Sequence, residues 1–468
     1  MKKKILISIL ALVLLFVLTF SITSCIIANR TITTTTTSIR NQSNNIQNPD
    51  DPNRVPLDYS GSFYLIDALF QNFSIFDIDY ETAMLAAIRA YVEATGDQYA
   101  MYYTPEEFED MQSENNGDLY GVGVQVIFDY DEHFMEVVLI MPDSPAEAYL
   151  QVGDIVTHIF IDGEKIAIAD IVTENIEKAR KIYPGYNEEQ LNNYACYETF
   201  EYVVSNLKGP AGTYAEFTIV RDGVSYDLKV QRAKVKTLSV TGKVSITEPT
   251  VGIVSISQFD LTTPIQFKES MDYLIAQGCD KFVFDMRNNP GGDVSSVVAV
   301  LSTLLTKDSV IVSTKDYSGA VETIKVETRN YGANSSYVSC NVTSADIAKY
   351  NGYEFVVLAN ENTASAAEIF TAALRDHNLA QIVGVKTYGK GSIQSVIPLN
   401  LYGEDYYGAL KLTTKLYFPP CGEGYDGGIG IAPNYVVELE GIAAEINFYK
   451  ITEDIDNQLQ KAVSVLID

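Results

Sequence analysis

KFVFDMRNNPGG, residues 281–292, reads as a buried strand that runs into a turn of two asparagines, a proline and two glycines. A strand with apolar residues on both faces needs cover on both, the usual state of a parallel strand between helices. On either side of it the pattern alternates. VGIVSISQF (251–259) reads as a strand, 263–277 as a helix, 294–305 as the next helix, EFVVLAN (354–360) as a strand and 364–375 as a helix. From about residue 239 to the end, this predicts an α/β unit with at least part of its sheet parallel.

Such folds place their sites at strand ends, and three segments stand there: DMRNNPGG (285–292), NTASAAE (362–368) and TYGKGSIQ (387–394). Ser365 lies three residues before Glu368 at the predicted start of a helix. Ser-x-x-Glu is a capping-box signature. The same position, beside exposed amides and the positive end of a helix dipole, also suits a nucleophile whose substrate develops an oxyanion. A nucleophilic serine needs a base. His377 is twelve residues further along, about 18 Å if the helix continues, and is out of reach. Lys390, between Gly389 and Gly391, is the alternative: desolvation of its stem frees a neutral amine near neutral pH. It reads equally as a solvated loop lysine. Gln394 is on the same side of a strand as Lys390, but about 13 Å away if the strand is straight, so contact requires a turn or kink. Gly291 and Gly292 supply either a second oxyanion amide or only a tight turn. A phosphate loop is disfavoured, since Asp293 opposes an anion and no Gly-Lys-Ser/Thr follows.

The N-terminal half has a different texture. Residues 57–116 read as helical, with Leu65, Ala68, Leu69 and Phe73, then Met84, Leu85, Ile88, Tyr91 and Val92, at helical spacing. These helices also offer a surface on which a homo-oligomer can form. From Tyr120 the period becomes that of strands: YGVGVQVIF (120–128), FMEVVLIM (134–141) and IVTHIFIDGEKI (155–166), with one short helix opened by Asp143-Ser-Pro-Ala146. The stretch LKGPAGTYAEFTIVRDGVSYDLKVQR (207–232) reads as a closing hairpin turning at Asp222-Gly223.

The chain has 468 residues, a net charge of −28, five cysteines and three histidines. Its length allows two or three domains, and its acidity argues against nucleic acid. So few histidines make a histidine-rich metal site improbable, and no metal is expected. Lys2, Lys3 and Lys4 precede the apolar run 5–20 and then Ser21-Ile-Thr-Ser-Cys25, which reads as a secretory signal. Its end resembles a bacterial lipobox, which implies cleavage after residue 24 and a lipid on Cys25; an uncleaved signal anchor is the alternative. Either places the remainder outside the cytoplasm, and the lipid places it at the outer face of a bacterial cell membrane. Residues 25–56, rich in Thr, Asn and Gln, read as a disordered tether. Cys196, Cys279, Cys340 and Cys421 show no paired spacing and are expected to be mostly buried thiols.

The strand-rich part resembles a PDZ domain of exported proteases. Gly121-Val122-Gly123-Val124 stands where that family's loop amides hold a peptide carboxylate. An insertion over about 166–197 departs from the family pattern. Taken together, TGDQYAMYYTPEEF (95–108), DMRNNPGG, TASAAEIFTAALRDH (363–377), YGKGSIQSVIPL (388–399), LKLTTKLYFPP (410–420) and GIGIAPNYVVEL (428–439) resemble the carboxyl-terminal processing peptidases, also called tail-specific proteases. The resemblance implies a multidomain chain: an N-terminal helical region (57–116), a PDZ-like β-rich domain (117–236) and an α/β crotonase-like serine peptidase core (237–468). It implies Ser365 as nucleophile, Lys390 as base, Gln394 orienting the amine, and Ala366 with Gly291 or Gly292 as oxyanion amides. Substrates are then proteins with free C-termini, and no cofactor is required. Asp285 and Arg287 look like supports of the turn. The rival expectation is a surface lipoprotein that binds peptide tails without cutting them.

Overall fold

In the computed structural model, which describes residues 59–401, 405–424 and 426–467, six strands form the central sheet. The order is Val240–Val244, Val251–Ile256, Lys281–Asp285, Glu354–Ala359, Ala380–Gly384 and Tyr435–Val436. The first pair is antiparallel and every later pair is parallel. Both faces are covered, as the apolar strands require. Phe282, Phe284, Phe355 and Val357 pack with residues of helices Thr263–Ala276, Val294–Leu304 and Ala366–Asp376. Val283, Val356 and Leu358 point the other way, onto Leu459, Ala462, Val463 and Leu466 of helix Asn457–Ile467.

A second sheet carries the other half of the candidate site. Ser392–Leu401 pairs antiparallel with the long strand Asp405–Phe418, which also pairs with Val310–Asp316 and with Met101–Tyr103. The expectation of an all-helical 57–116 therefore changes. Helices Tyr59–Phe73, Tyr80–Ala94 and Pro105–Asn115 form, but Met101–Tyr103 is an edge strand in register with Ala409–Lys411. Its β-forming Met-Tyr-Tyr run overrides the flanking helical pattern. The described residues up to 87 and those from 88 onward form separate units; in the first, helix Tyr59–Phe73 has no buried residue.

The β-rich part has Val124–Asp129 at the edge of a sheet that continues through Phe134–Ile140, Ile155–Ile161, Tyr214–Arg221 and Val224–Gln231. The hairpin turns at Asp222 and Gly223, both with positive φ, as expected. Gly123, at φ 87°, has no room for a side chain, since a Cβ would overlap the Ser144 side chain. The expected insertion is a pair of helices, Ile168–Ile182 and Glu188–Leu207, and the second extends well past 197. It is not a surface excursion. Leu191, Ala195, Thr199, Val203 and Leu207, every fourth residue, are buried and make the helix part of the local core.

Residues 1–58, with the expected signal peptide, the tether and Cys25, lie outside the described residues. Cys196, Cys279 and Cys340 are buried thiols and Cys421 is an exposed one. No helix among the described residues is long and apolar enough to cross a membrane.

A buried ion network fixes the turn after Lys281–Asp285. Arg287 donates to both carboxylate oxygens of Asp285 (2.9 and 2.7 Å) and of Asp456 (3.0 and 2.7 Å), and to Gln458 (3.1 Å). Flanking carboxylates hold the guanidinium charged even though burial opposes it. Removing one member of a buried pair leaves an uncompensated charge. Arg287→Leu should therefore lower stability by about 3–5 kcal/mol, read as a lower urea midpoint at unchanged m; a loss within 1 kcal/mol would contradict this role.

Candidate active site

Ser365 joins strand Glu354–Ala359 to helix Ala366–Asp376 with φ 55° and ψ −118°. A residue with a Cβ rarely adopts that conformation, and the surrounding contacts must hold it. They come from two sides. The Ala364 amide donates to the Asn289 carbonyl (3.0 Å), and the Asn360 and Asn362 side chains both donate to Asn288 Oδ1 (2.9 Å each). The NNPGG turn and the serine loop are thus laced together. Gly291 lies directly against the serine, where an added Cβ would stand 2.7 Å from Ser365 Cβ and 2.8 Å from the Ala366 nitrogen.

Glu368 supplies the second restraint. Its side chain is fully buried. It accepts from the Ser365 amide (3.0 Å) and the Lys390 amide (2.9 Å) on one oxygen, and from the Gly389 amide (2.8 Å) and Thr387 Oγ1 (2.5 Å) on the other. Thr387 Oγ1 itself accepts from the Ile431 amide (2.7 Å), which turns its hydroxyl proton toward the carboxylate. Burial raises the Glu368 pKa, and these four donors pull against that. The acid of the capping box therefore spans the two segments that carry Ser365 and Lys390.

Lys390 sits between Gly389, where a Cβ would press on Gly428 (2.7 Å), and Gly391, where it would press on Asp426 (2.7 Å). Tyr417 Oη donates to the Lys390 carbonyl. The side chain is partly buried, and burial, then the nearby Lys411 charge, pull its pKa below 10.5 against the opposing pull of Glu368. Its Nζ lies 4.5 Å from the centroid of the Tyr99 ring and makes no hydrogen bond among the described residues, to Ser365 or to Gln394. Gln394 follows a register shift between Ile393 and Gln394, the kink that a straight strand lacks. Its Nε2 donates to Ser392 Oγ and Thr413 Oγ1 (3.1 Å each), which leaves Oε1 as the free end.

The structure separates the two glycines. The Gly291 amide already donates to Asn289 Oδ1 (2.8 Å), so it is not free to bind an oxyanion, which corrects that expectation. The Gly292 and Ala366 amides have no partner among the described residues. His377 caps the far end of the serine helix and bonds the Val310 carbonyl (2.7 Å). No cluster of metal-ligating side chains occurs among the described residues. Gly121 to Val124 lie together at the start of the edge strand Val124–Asp129, with Val122 buried.

Sequence reading missed the bridging role of Glu368, and missed Thr387, Asp97, Tyr99 and Thr413. Thr413 donates through its amide (2.7 Å) and its hydroxyl (2.9 Å) to Asp97, and so links Gln394 to residues far upstream. No local spacing signals a partnership between positions 316 residues apart.

The chain matches the model of peptidase family S41 over residues 250–437. It is 30% identical over 351 residues to the carboxy-terminal-processing protease of Bartonella bacilliformis, covering 73% of this chain and 67% of that one. A probable CtpA-like serine protease of Staphylococcus haemolyticus is 28% identical, with 75% of this chain and 59% of that one covered. Among solved structures, the photosystem II D1 C-terminal processing protease aligns at TM-score 0.42 and 22% identity, over 81% of this chain and 88% of that one.

Lys390 binds its proton less tightly in the folded chain than in the unfolded one. Between its lowered pKa and 10.5 the unfolded chain holds more protons, so stability rises with pH through that window, and below it the buried ammonium is a constant cost. Lys390→Met should lose this rise. Urea unfolding of both proteins at a series of alkaline pH values checks it, and parallel curves would contradict it.

Proposed function

The chain belongs to peptidase family S41 and is a serine-type peptidase; on that premise we propose that it cleaves exported proteins near their free C-termini, with Ser365 as nucleophile and Lys390 as general base. The observation that carries the reading is the Glu368 clamp, which binds the backbones of both residues to one carboxylate while Ser365 is held strained at a helix start.

In the proposed cycle, the neutral Lys390 amine takes the Ser365 hydroxyl proton as Oγ bonds to the scissile carbonyl carbon. Negative charge moves to the carbonyl oxygen, where the Ala366 and Gly292 amides donate to it at the positive end of the serine helix. As the carbon–nitrogen bond breaks, the lysine proton passes to the leaving amine. Water then attacks the acyl ester, gives a proton to Lys390, and Ser365 recovers its own. Gln394 Oε1 accepts from the lysine and holds it on this path. Gly291 acts by its missing Cβ and not by its amide.

We read residues 117–236 as a PDZ-type domain and 237–468 as a crotonase-like core. A substrate tail adds along the edge strand Val124–Asp129, with its carboxylate at the amides of Gly121 to Val124. The charged start, apolar run and Ile22-Thr-Ser-Cys25 support export with a lipid on Cys25, which tethers the enzyme at the outer membrane face.

A fluorophosphonate should label the folded chain at Ser365, and Ser365→Ala should abolish both label and peptide cleavage. A folded chain inert to label and to unstructured peptides favours a non-cutting binder of tails. Lys390→Ala should cost at least about 10³-fold in kcat, while His377→Ala stays within threefold of the parent. The reverse result overturns the assignment of the base.

A further inference from the structure

Among the described residues, Lys390 Nζ lies closest to an aromatic face, that of Tyr99 at 4.5 Å. The backbone fixes that ring from both sides. Asp97 Oδ1 accepts from the Tyr99 amide (3.0 Å) and from Thr413 Oγ1 (2.9 Å), and Met101–Tyr103 pairs with Ala409–Lys411 immediately afterwards. Tyr99 thus reaches the lysine from an early segment bolted to the strand across from it. An aromatic face attracts an ammonium and offers nothing comparable to a neutral amine. Its effect on the base is therefore opposite in sign to that of burial.

The remaining charged and titratable groups around Lys390 come from five segments of the chain. Glu368 on the serine helix favours the ammonium, and Lys411 on the strand Asp405–Phe418 opposes it. Asp426 accepts from the Gly391 amide (2.7 Å), Asp97 accepts from the Tyr99 amide, and Tyr388 is two residues before the lysine. None of these presents a ring face to Nζ among the described residues, as Tyr99 does.

We propose that Tyr99 is a positioning residue for the catalytic base: between turnovers Lys390 takes a proton from solvent and its ammonium rests on the Tyr99 ring, and the amine, once it has returned that proton to solvent, leaves this seat to meet Ser365. The proposal rests on the reading of Lys390 as the base. Tyr99 touches no substrate in this role and exchanges no proton; it sets where the amine waits and how firmly it keeps its proton.

The test follows Lys390 itself. In the full chain carrying 13C-lysine, the Lys390 ε-carbon signal, assigned by its absence in Lys390→Arg, reports the Nζ titration without reference to activity. Tyr99→Leu keeps the burial and removes the aromatic face, and should lower the titration midpoint by about one pH unit, a tenfold loss of proton affinity. Tyr99→Phe keeps the face and should leave the midpoint at its parent value. Tyr99→Met serves as a second variant without the ring if the leucine form does not fold. A midpoint unmoved in Leu and Met, or moved equally in Phe, overturns the proposal. The acid limb of kcat/KM against pH should shift down with the midpoint. A midpoint that shifts while the limb stays put supports the seat and sinks the reading of Lys390 as base.

Discussion

One buried carboxylate holds the site together. Glu368 has four donors and no exposure, and the donors come from both reactive segments. Three are backbone amides, so what it fixes is the path of the chain and not the pose of a side chain. Without it, the Ser365 turn and the Gly389–Gly391 loop would be joined only through neighbours. A desolvated carboxylate is costly unless its hydrogen bonds are made. That cost ties the two loops to one geometry, since moving either strands part of a buried charge.

Around this clamp the structure separates rigidity from freedom. The NNPGG turn is braced by Arg287, by two carboxylates and by the asparagine lacing, all backbone-directed or buried. The lysine side chain, by contrast, has no hydrogen bond among the described residues, and there the free end of Gln394 is its carbonyl. Fixed amides suit charge that develops at one place. A proton carrier has to move between two.

Much of this was legible in the sequence because it is local. The alternation of apolar strands and amphipathic helices placed Lys281–Asp285, Glu354–Ala359 and Ala366–Asp376 nearly where they are found. Ser365 and Lys390 stood out by their neighbours, Glu368 and the paired glycines. What escaped depends on contacts between distant positions. A bonded partner of Glu368 at Thr387 is nineteen residues away, and the Asp97–Thr413 link spans most of the chain. That the Gly291 amide, and not that of Gly292, is bonded to Asn289 depends on the direction of one peptide plane, which no residue type encodes. Likewise, Met101–Tyr103 was absorbed into the helical reading of 57–116 because three residues carry no period of their own.

The pairing of Met101–Tyr103 with Ala409–Lys411 has a temporal consequence. Loops that close over such separations form late, after the local helices and hairpins. A chain synthesised from its N-terminus presents Asp97 and Tyr99 long before the strand that receives them exists. Until that strand arrives, the wall behind the lysine is missing. A hydrolase assembled in this way stays incomplete while its own unfolded chain, the most vulnerable substrate nearby, is still being made.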